Sequence, residues 1–174
     1  MGSSDQGQIR SVLALIRELS GQPTRSDSAA ELFSQSFTVL HRLVPFDIAA
    51  AVMLESNLDL HIMMRAGLES LINDRFIEKV REQLHDVIPA SFTAADVIVR
   101  GESSELPACE VTGNCLEHAA HVVVRAANRS AGLLLFFRSE PFSDEDRDIT
   151  EIFAATLSIV LAHMTAQERI LNLA

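Results

Sequence analysis

Three stretches of this 174-residue chain predict an α+β domain built on a central antiparallel sheet. "FDIAAAVMLESNLDLHIMMR", Phe46 to Arg65, reads as one β-hairpin, and "EHAAHVVVRAANRSAGLLLFFRS", Glu117 to Ser139, as a second. "SDEDRDITEIFAATLSIVLAHM", from Ser143, is a long amphipathic helix that needs an apolar surface to lie on. Strands that follow each other through short turns pair antiparallel, and helices cover the faces such a sheet leaves open.

The elements follow in order. Ile9, Val12, Leu13, Ile16 and Leu19 recur at helical spacing, and Gly21-Gln22-Pro23 ends that first helix. A second helix starts near Ser28, with Glu31 at capping-box spacing, and its stripe of Leu32, Phe33, Phe37, Leu40 and Leu43 runs to Pro45. In the first hairpin the leading strand is apolar on both faces and Glu55-Ser56-Asn57 makes the turn. A third helix carries Leu71, Ile72, Phe76, Val80 and Leu84 on one side. "ADVIVR" is a short edge strand, and "GESSELPACEVTGN" is a loop by composition. The second hairpin turns at Asn128-Arg129-Ser130.

Pro141 cannot donate to a sheet ladder, so the last strand ends before it. Ser143 is a good N-cap, with Asp146 three residues on and Asp144 and Glu145 in a first turn that favours negative charge. The final helix is expected to turn Ile149, Ile152, Phe153, Thr156, Ile159, Val160, His163 and Met164 inward. No Gly or Pro interrupts it before Ala174, so it would run roughly 45 Å and outreach the core. The expected division is 1–26 as N-terminal helix and linker, 27–163 as the domain, and 164–174 as the start of a C-terminal linker helix. A chain that stops inside a helical pattern suggests a piece of a longer protein.

Charge and composition narrow the function. The formal charge of −10, with Lys79 the one lysine, disfavours nucleic acid and anionic membranes as partners. No apolar run is long enough to span a bilayer, and the N-terminus lacks a signal-peptide core, so a cytoplasmic location is expected. Cys109 and Cys115 have the spacing of neither a zinc nor a redox C-x-x-C site. His118 and His121 lie near in sequence, but two free thiols and no metal are the expectation.

On "LVPFDIAAAVML" and "RSAGLLLFFRSEPFSDEDRDITEIFAATLSIVLAH" the chain resembles GAF domains, the small sensory modules of bacterial signalling proteins and phosphodiesterases. Roughly Asp27 to His163 is covered. The resemblance is close to members that precede diguanylate cyclase, histidine kinase or phosphohydrolase outputs. It implies a regulatory domain rather than an enzyme, binding a small molecule and relaying the signal through its terminal helices. Cyclic-nucleotide-binding members carry an Asn-Lys pair that is missing here. Pigment-binding members attach through a Cys followed by His, whereas Glu110 follows Cys109 and Leu116 follows Cys115. The free methionine-R-sulfoxide reductases of this family have cysteine signatures that "CEVTGNC" does not reproduce. The sequence names no cofactor.

Alternation along the strands supplies the candidate ligand residues. His61, Met63 and Arg65 share one face of a strand, and His121, Val123 and Arg125 share one face of another. If those faces coincide, two imidazoles and two guanidiniums line one site, suited to an anionic ligand or a histidine-held heme. The competing reading is a solvated sheet face. For the final helix, Ile152, Thr156, Ile159, His163, Ala166, Ile170 and Leu173 recur at alternating spacings of four and three, as in a coiled-coil seam. A homodimer through Ile152, Ile159, His163, Ala166 and Ile170 follows. Two function classes stay open, a ligand-binding sensor or a ligand-free dimerisation and relay scaffold, with a thiol-dependent free methionine sulfoxide reductase as a third and last alternative.

Overall fold

Three consecutive alanines would be poor strand formers on their own, yet Ala49, Ala50 and Ala51 sit at the middle of the sheet. Their strand is paired on both sides, and their small side chains leave room for the rings that cover them. The computed structural model describes residues 10, 14, 17, 29–54, 58–65, 67–85, 97–103, 114–126 and 129–173. Arg10, Ala14 and Arg17 are helical and exposed. The apolar positions Ile9, Val12, Leu13, Ile16 and Leu19, the cap at Ser28 and the loop holding Cys109 lie outside the described residues.

The elements are α1 (Ala29–His41), β1 (Ile48–Leu54), β2 (Leu58–Met64), α2 (Asp74–Leu84), β3 (Val97–Ser103), β4 (His118–Ala126), β5 (Arg129–Arg138) and α3 (Asp144–Leu173). The strands form one sheet in the order β3-β2-β1-β5-β4. Four of them are antiparallel, as the sequence predicts. The fifth, β3, lies parallel to β2, with Leu58 opposite Val97. The reason is the crossover: the chain from β2 to β3 passes through α2, and such a helical connection returns the strand in the same direction. Gly67, at φ 90°, sits where the chain leaves β2 and takes the left-handed backbone that glycine adopts without strain.

Several elements differ in extent from the sequence reading. β3 continues through Gly101, Glu102 and Ser103. Pairing of β4 with β5 reaches Ala126 opposite Arg129, so Arg129 and Ser130 belong to the strand rather than the turn. Asn73 caps α2, its side chain accepting from the N–H groups of Arg75 and Phe76 at 3.0 and 3.3 Å. Leu71 and Ile72 therefore precede the helix, while Phe76, Val80 and Leu84 form its buried stripe.

Two cores lie on opposite faces of the sheet. One holds α1 and α3 against Ala49, Ala51, Met63, Leu134 and Phe136. The other holds α2 against Ile48, Ala50, Ile62, Leu133, Leu135 and Phe137. Helix α3 starts in a reciprocal cap: the Asp146 N–H donates to Ser143 Oγ at 3.0 Å and the Ser143 N–H to Asp146 Oδ2 at 2.9 Å. It then runs without a break across residue 163 to Leu173. Ile149, Phe153, Thr156 and Val160 face the core, but Ile152, Ile159 and His163, expected inward, are exposed. The sheet face is covered once α3 has passed Leu161, and nothing among the described residues lies over the outer row.

Candidate functional site

The α2-facing side of the sheet is assembled from odd-numbered residues of β5 and β4 and even-numbered residues of β1 and β2. Phe76 of α2 meets Phe137 of β5 edge-on, with ring centroids 5.5 Å apart. Val80 and Leu84 extend that contact along the helix, and Ala119 and Val123 of β4 close its border. At the rim, Gln83 Oε1 and His121 Nδ1 are 3.0 Å apart, so the imidazole donates through Nδ1 to the amide oxygen. This layer is apolar inside and polar at one edge.

The six residues read from strand parity do not come together. His61 pairs with Ala51, Ala51 with Leu134, and Leu134 with Val122. The residue of β4 that shares a face with His61 is therefore Val122, and His121 points the other way. His61 lies with α1, its ring stacked 6.0 Å from Phe33, and Met63 is part of that same core. His121 and Val123 lie on the α2 side. Arg125 follows a bulge after Val124 and is exposed; its backbone N–H donates to Ser158 Oγ of α3 at 3.1 Å. That hydroxyl in turn donates to Ala154 O, fixing the bulge to the helix.

Arg65 is held rather than free. Its Nε lies 3.4 Å from Asp47 Oδ1 and donates to Phe46 O at 3.3 Å, while Nη2 is 3.2 Å from His41 Nε2. Its charge is thus largely spent on the start of β1. Sequence reasoning missed this cluster in part. A hairpin turning at Glu55-Ser56-Asn57 already puts Asp47 opposite Arg65, so that pair was legible. His41 and Cys115 reach it only through the tertiary fold.

Cys115 is buried. Burial first, then the nearby Asp47 carboxylate, raises its pKa. The thiolate is disfavoured, the opposite of an activated nucleophile. Among the described residues, no group of three His, Cys, Asp or Glu side chains could hold a metal ion.

The β5–α3 junction is the most heavily bonded corner. Arg138 donates through Nη1 to Pro45 O at 3.0 Å, through Nε to Glu140 O at 3.0 Å, and through Nη2 to both Pro141 O and Asp146 Oδ2 at 2.6 Å. Its guanidinium also lies 4.1 Å from the centroid of the Phe142 ring. Burial alone would raise the Asp146 pKa, but the hydrogen bonds from Ser143 and Arg138 and the Arg138 charge outweigh it and lower the value below 3.8. At its other end α3 is bare: Ile159, Ile170, Leu171 and Leu173 are 72, 68, 75 and 88 % exposed. His163 and Ala166 are exposed beside them. Among the described residues, no helix is long and apolar enough to cross a membrane.

No protein-family model matches the sequence, and no curated protein does. Solved structures do. The chain is similar to a GAF domain assigned to a sensor histidine kinase of Pseudomonas syringae pv. tomato, at 14 % identity and a TM-score of 0.57, covering 98 % of this chain and 96 % of that one. It is similar also to the GAF domain of an Acinetobacter phosphoenolpyruvate-protein phosphotransferase, at 17 % identity and a TM-score of 0.54, covering 95 % and 97 %. The chain has the GAF fold.

Proposed function

We propose that this chain is the sensor or regulatory domain of a signal-transduction protein, taking a small molecule on the α2 side of the sheet and passing the change into α3. The observation that carries the reading is the division of α3. Its first half is anchored by Arg138 and buried on the sheet, while its second half offers a bare apolar row on the same rigid rod. Strand β5 joins the two sides: Leu133, Leu135 and Phe137 face α2, Leu134 and Phe136 face α3, and the strand leads directly to the Arg138 corner. A displacement on one face therefore reaches the helix through a single strand.

The bare row fits a second copy of this chain. Residues 159–173 hold one Glu and one Arg, so this stretch carries no net charge within a chain of −10. Exposed apolar rows of this kind mark interfaces. In the homodimer Ile152, Ile159, His163, Ala166, Ile170 and Leu173 meet their equivalents. A ligand-free relay scaffold is the second reading, favoured by the close apolar filling between α2 and β5.

One pair of measurements tests this. Wild type should sediment as a dimer at tens of micromolar and Ile159→Glu with Ile170→Glu as a folded monomer whose melting temperature, unlike that of the wild type, does not depend on protein concentration. Leu161 is left alone because it belongs to the core. A monomeric wild type refutes the dimer. A thermal-shift screen of small anions and metabolites then separates sensor from scaffold: a ligand present at 100 times its Kd stabilises by about 2.7 kcal/mol.

A further inference from the structure

The peptide Pro45-Phe46-Asp47 joins α1 to the sheet and is gripped from every neighbouring element. Arg138 holds Pro45 O from the end of β5. Phe46 O faces Arg65 Nε at 3.3 Å and His41 Nε2 at 3.0 Å. The Asp47 N–H donates to Phe137 O, Asp47 O accepts from the Arg65 N–H, and the Asp47 carboxylate meets Arg65. The His41 ring also packs edge-on against Phe46 at 4.8 Å.

His41 Nε2 stands within hydrogen-bond reach of a carbonyl oxygen and of a guanidinium at once. The two contacts need opposite proton states. With its proton on Nδ1 the ring accepts from Arg65 Nη2; with its proton on Nε2 it donates to Phe46 O and turns an N–H toward Arg65. Doubly protonated, it keeps the bond to Phe46 O but sets a second cation 3.2 Å from Arg65.

We propose that His41 is a proton-operated latch on this joint: the neutral ring holds the end of α1 and Arg65 together at the head of the sheet, and protonation drives them apart. The charged groups facing the ring are Arg65 from the end of β2 and Asp47 from the start of β1, with Arg42 next to it in the chain. Cys115 lies behind Asp47, and Arg138 grips the far side of the peptide. Asp47 favours the charged ring, but Arg65 already occupies its carboxylate. Burial, and then the Arg65 charge, lower the His41 pKa from its ordinary 6.5, outweighing the Phe46 carbonyl and Asp47. The unfolded chain then binds the extra proton more readily than the folded one. Stability from the latch is whole above pH 6.5 and is lost as pH falls through the lowered value. Only the consequence for α3, through Pro45 O and Arg138, rests on the relay reading.

The test follows the imidazole of His41 by NMR, together with the melting temperatures of wild type and His41→Gln from about pH 8 to about pH 5, a window bracketing the usual histidine range. Glutamine has a donor and an acceptor on separate atoms and serves both contacts at every pH. The imidazole should titrate below 6.5, and the melting temperature of the wild type should fall relative to that of His41→Gln as pH drops across the window. In Arg65→Met the titration should move upward. An imidazole that titrates at or above its ordinary value, or a melting difference flat with pH, overturns the latch. Should His41→Gln fail to fold, the direction of the shift in Arg65→Met decides alone. Sedimentation is read separately, so a dimer with no latch refutes this inference and leaves the relay standing.

Discussion

The two faces of one sheet are packed with different chemistry. The α1/α3 face takes six of the nine phenylalanines, Phe33, Phe37, Phe46, Phe136, Phe142 and Phe153. Phe37 sits at the middle of that group, its ring 6.2 Å from Phe33 and from Phe46, 5.8 Å from Phe136 and 6.3 Å from Phe153. Among the described residues the α2 face is mostly aliphatic, with one ring contact between Phe76 and Phe137. Interlocked rings have few rotamers and tolerate little displacement, whereas aliphatic side chains repack at lower cost. The face that anchors α3 is thus the stiff one, and the face proposed to admit a ligand is the adaptable one.

Truncation on each side breaks or sharpens that contrast. Phe37→Ala should cost about 3–5 kcal/mol, because a buried ring is lost from several aromatic pairs at once. Leu84→Ala, at the end of α2, should fall near the low end of its class, about 2 kcal/mol, since neighbouring aliphatic chains close the gap. Urea denaturation of the two variants measures both. Equal losses would show that the faces are equally rigid.

These faces were only half legible in the sequence. The hairpin of β1 and β2, the reciprocal cap of Ser143 and Asp146, and the exit of α3 from the core follow from turn chemistry, capping and helix length. The grouping of His61 with His121 does not follow, because parity within a strand says nothing of the register between strands. Three pairings separate β2 from β4, and a one-residue slip in any of them exchanges the faces. β3 posed a similar problem, since its direction depends on the crossover rather than on its own residues. Arg65 carried a local signal, Asp47 across the hairpin, that strand parity alone passed over.

The junction where the stiff face hands over to α3 gives an intermediate effect. Asp146 serves the Ser143 N–H and Arg138 together, and both bonds are charge-assisted. Asp146→Asn should cost about 1–3 kcal/mol at neutral pH. The folded pKa is lowered, so this contribution is present above 3.8 and is lost as pH falls through the lowered value. The stability gap between wild type and Asp146→Asn should therefore close on acidification. A gap that stays constant in acid would mean that Arg138 is held by its carbonyl partners alone.

The smallest expected effect belongs to the rim of the adaptable face. His121 is exposed and, among the described residues, bonds only through Nδ1 to the half-buried Gln83, a contact that water replaces at little cost. His121→Ala should change the stability of the ligand-free protein by no more than about 0.5 kcal/mol. Its effect on binding is a separate matter. An anionic molecule seated between α2 and β4 would meet this imidazole at the edge of an otherwise apolar layer, and loss of the ring would remove a donor at that edge. For any ligand found in the thermal-shift screen, His121→Ala should then weaken affinity while the ligand-free melting temperature stays where it was. A loss above about 1 kcal/mol without ligand would instead make the His121–Gln83 bond a fastening of α2 to β4. The α2 face would then be held at its edge as firmly as the aromatic face is held at its centre, and the contrast between the two would fail.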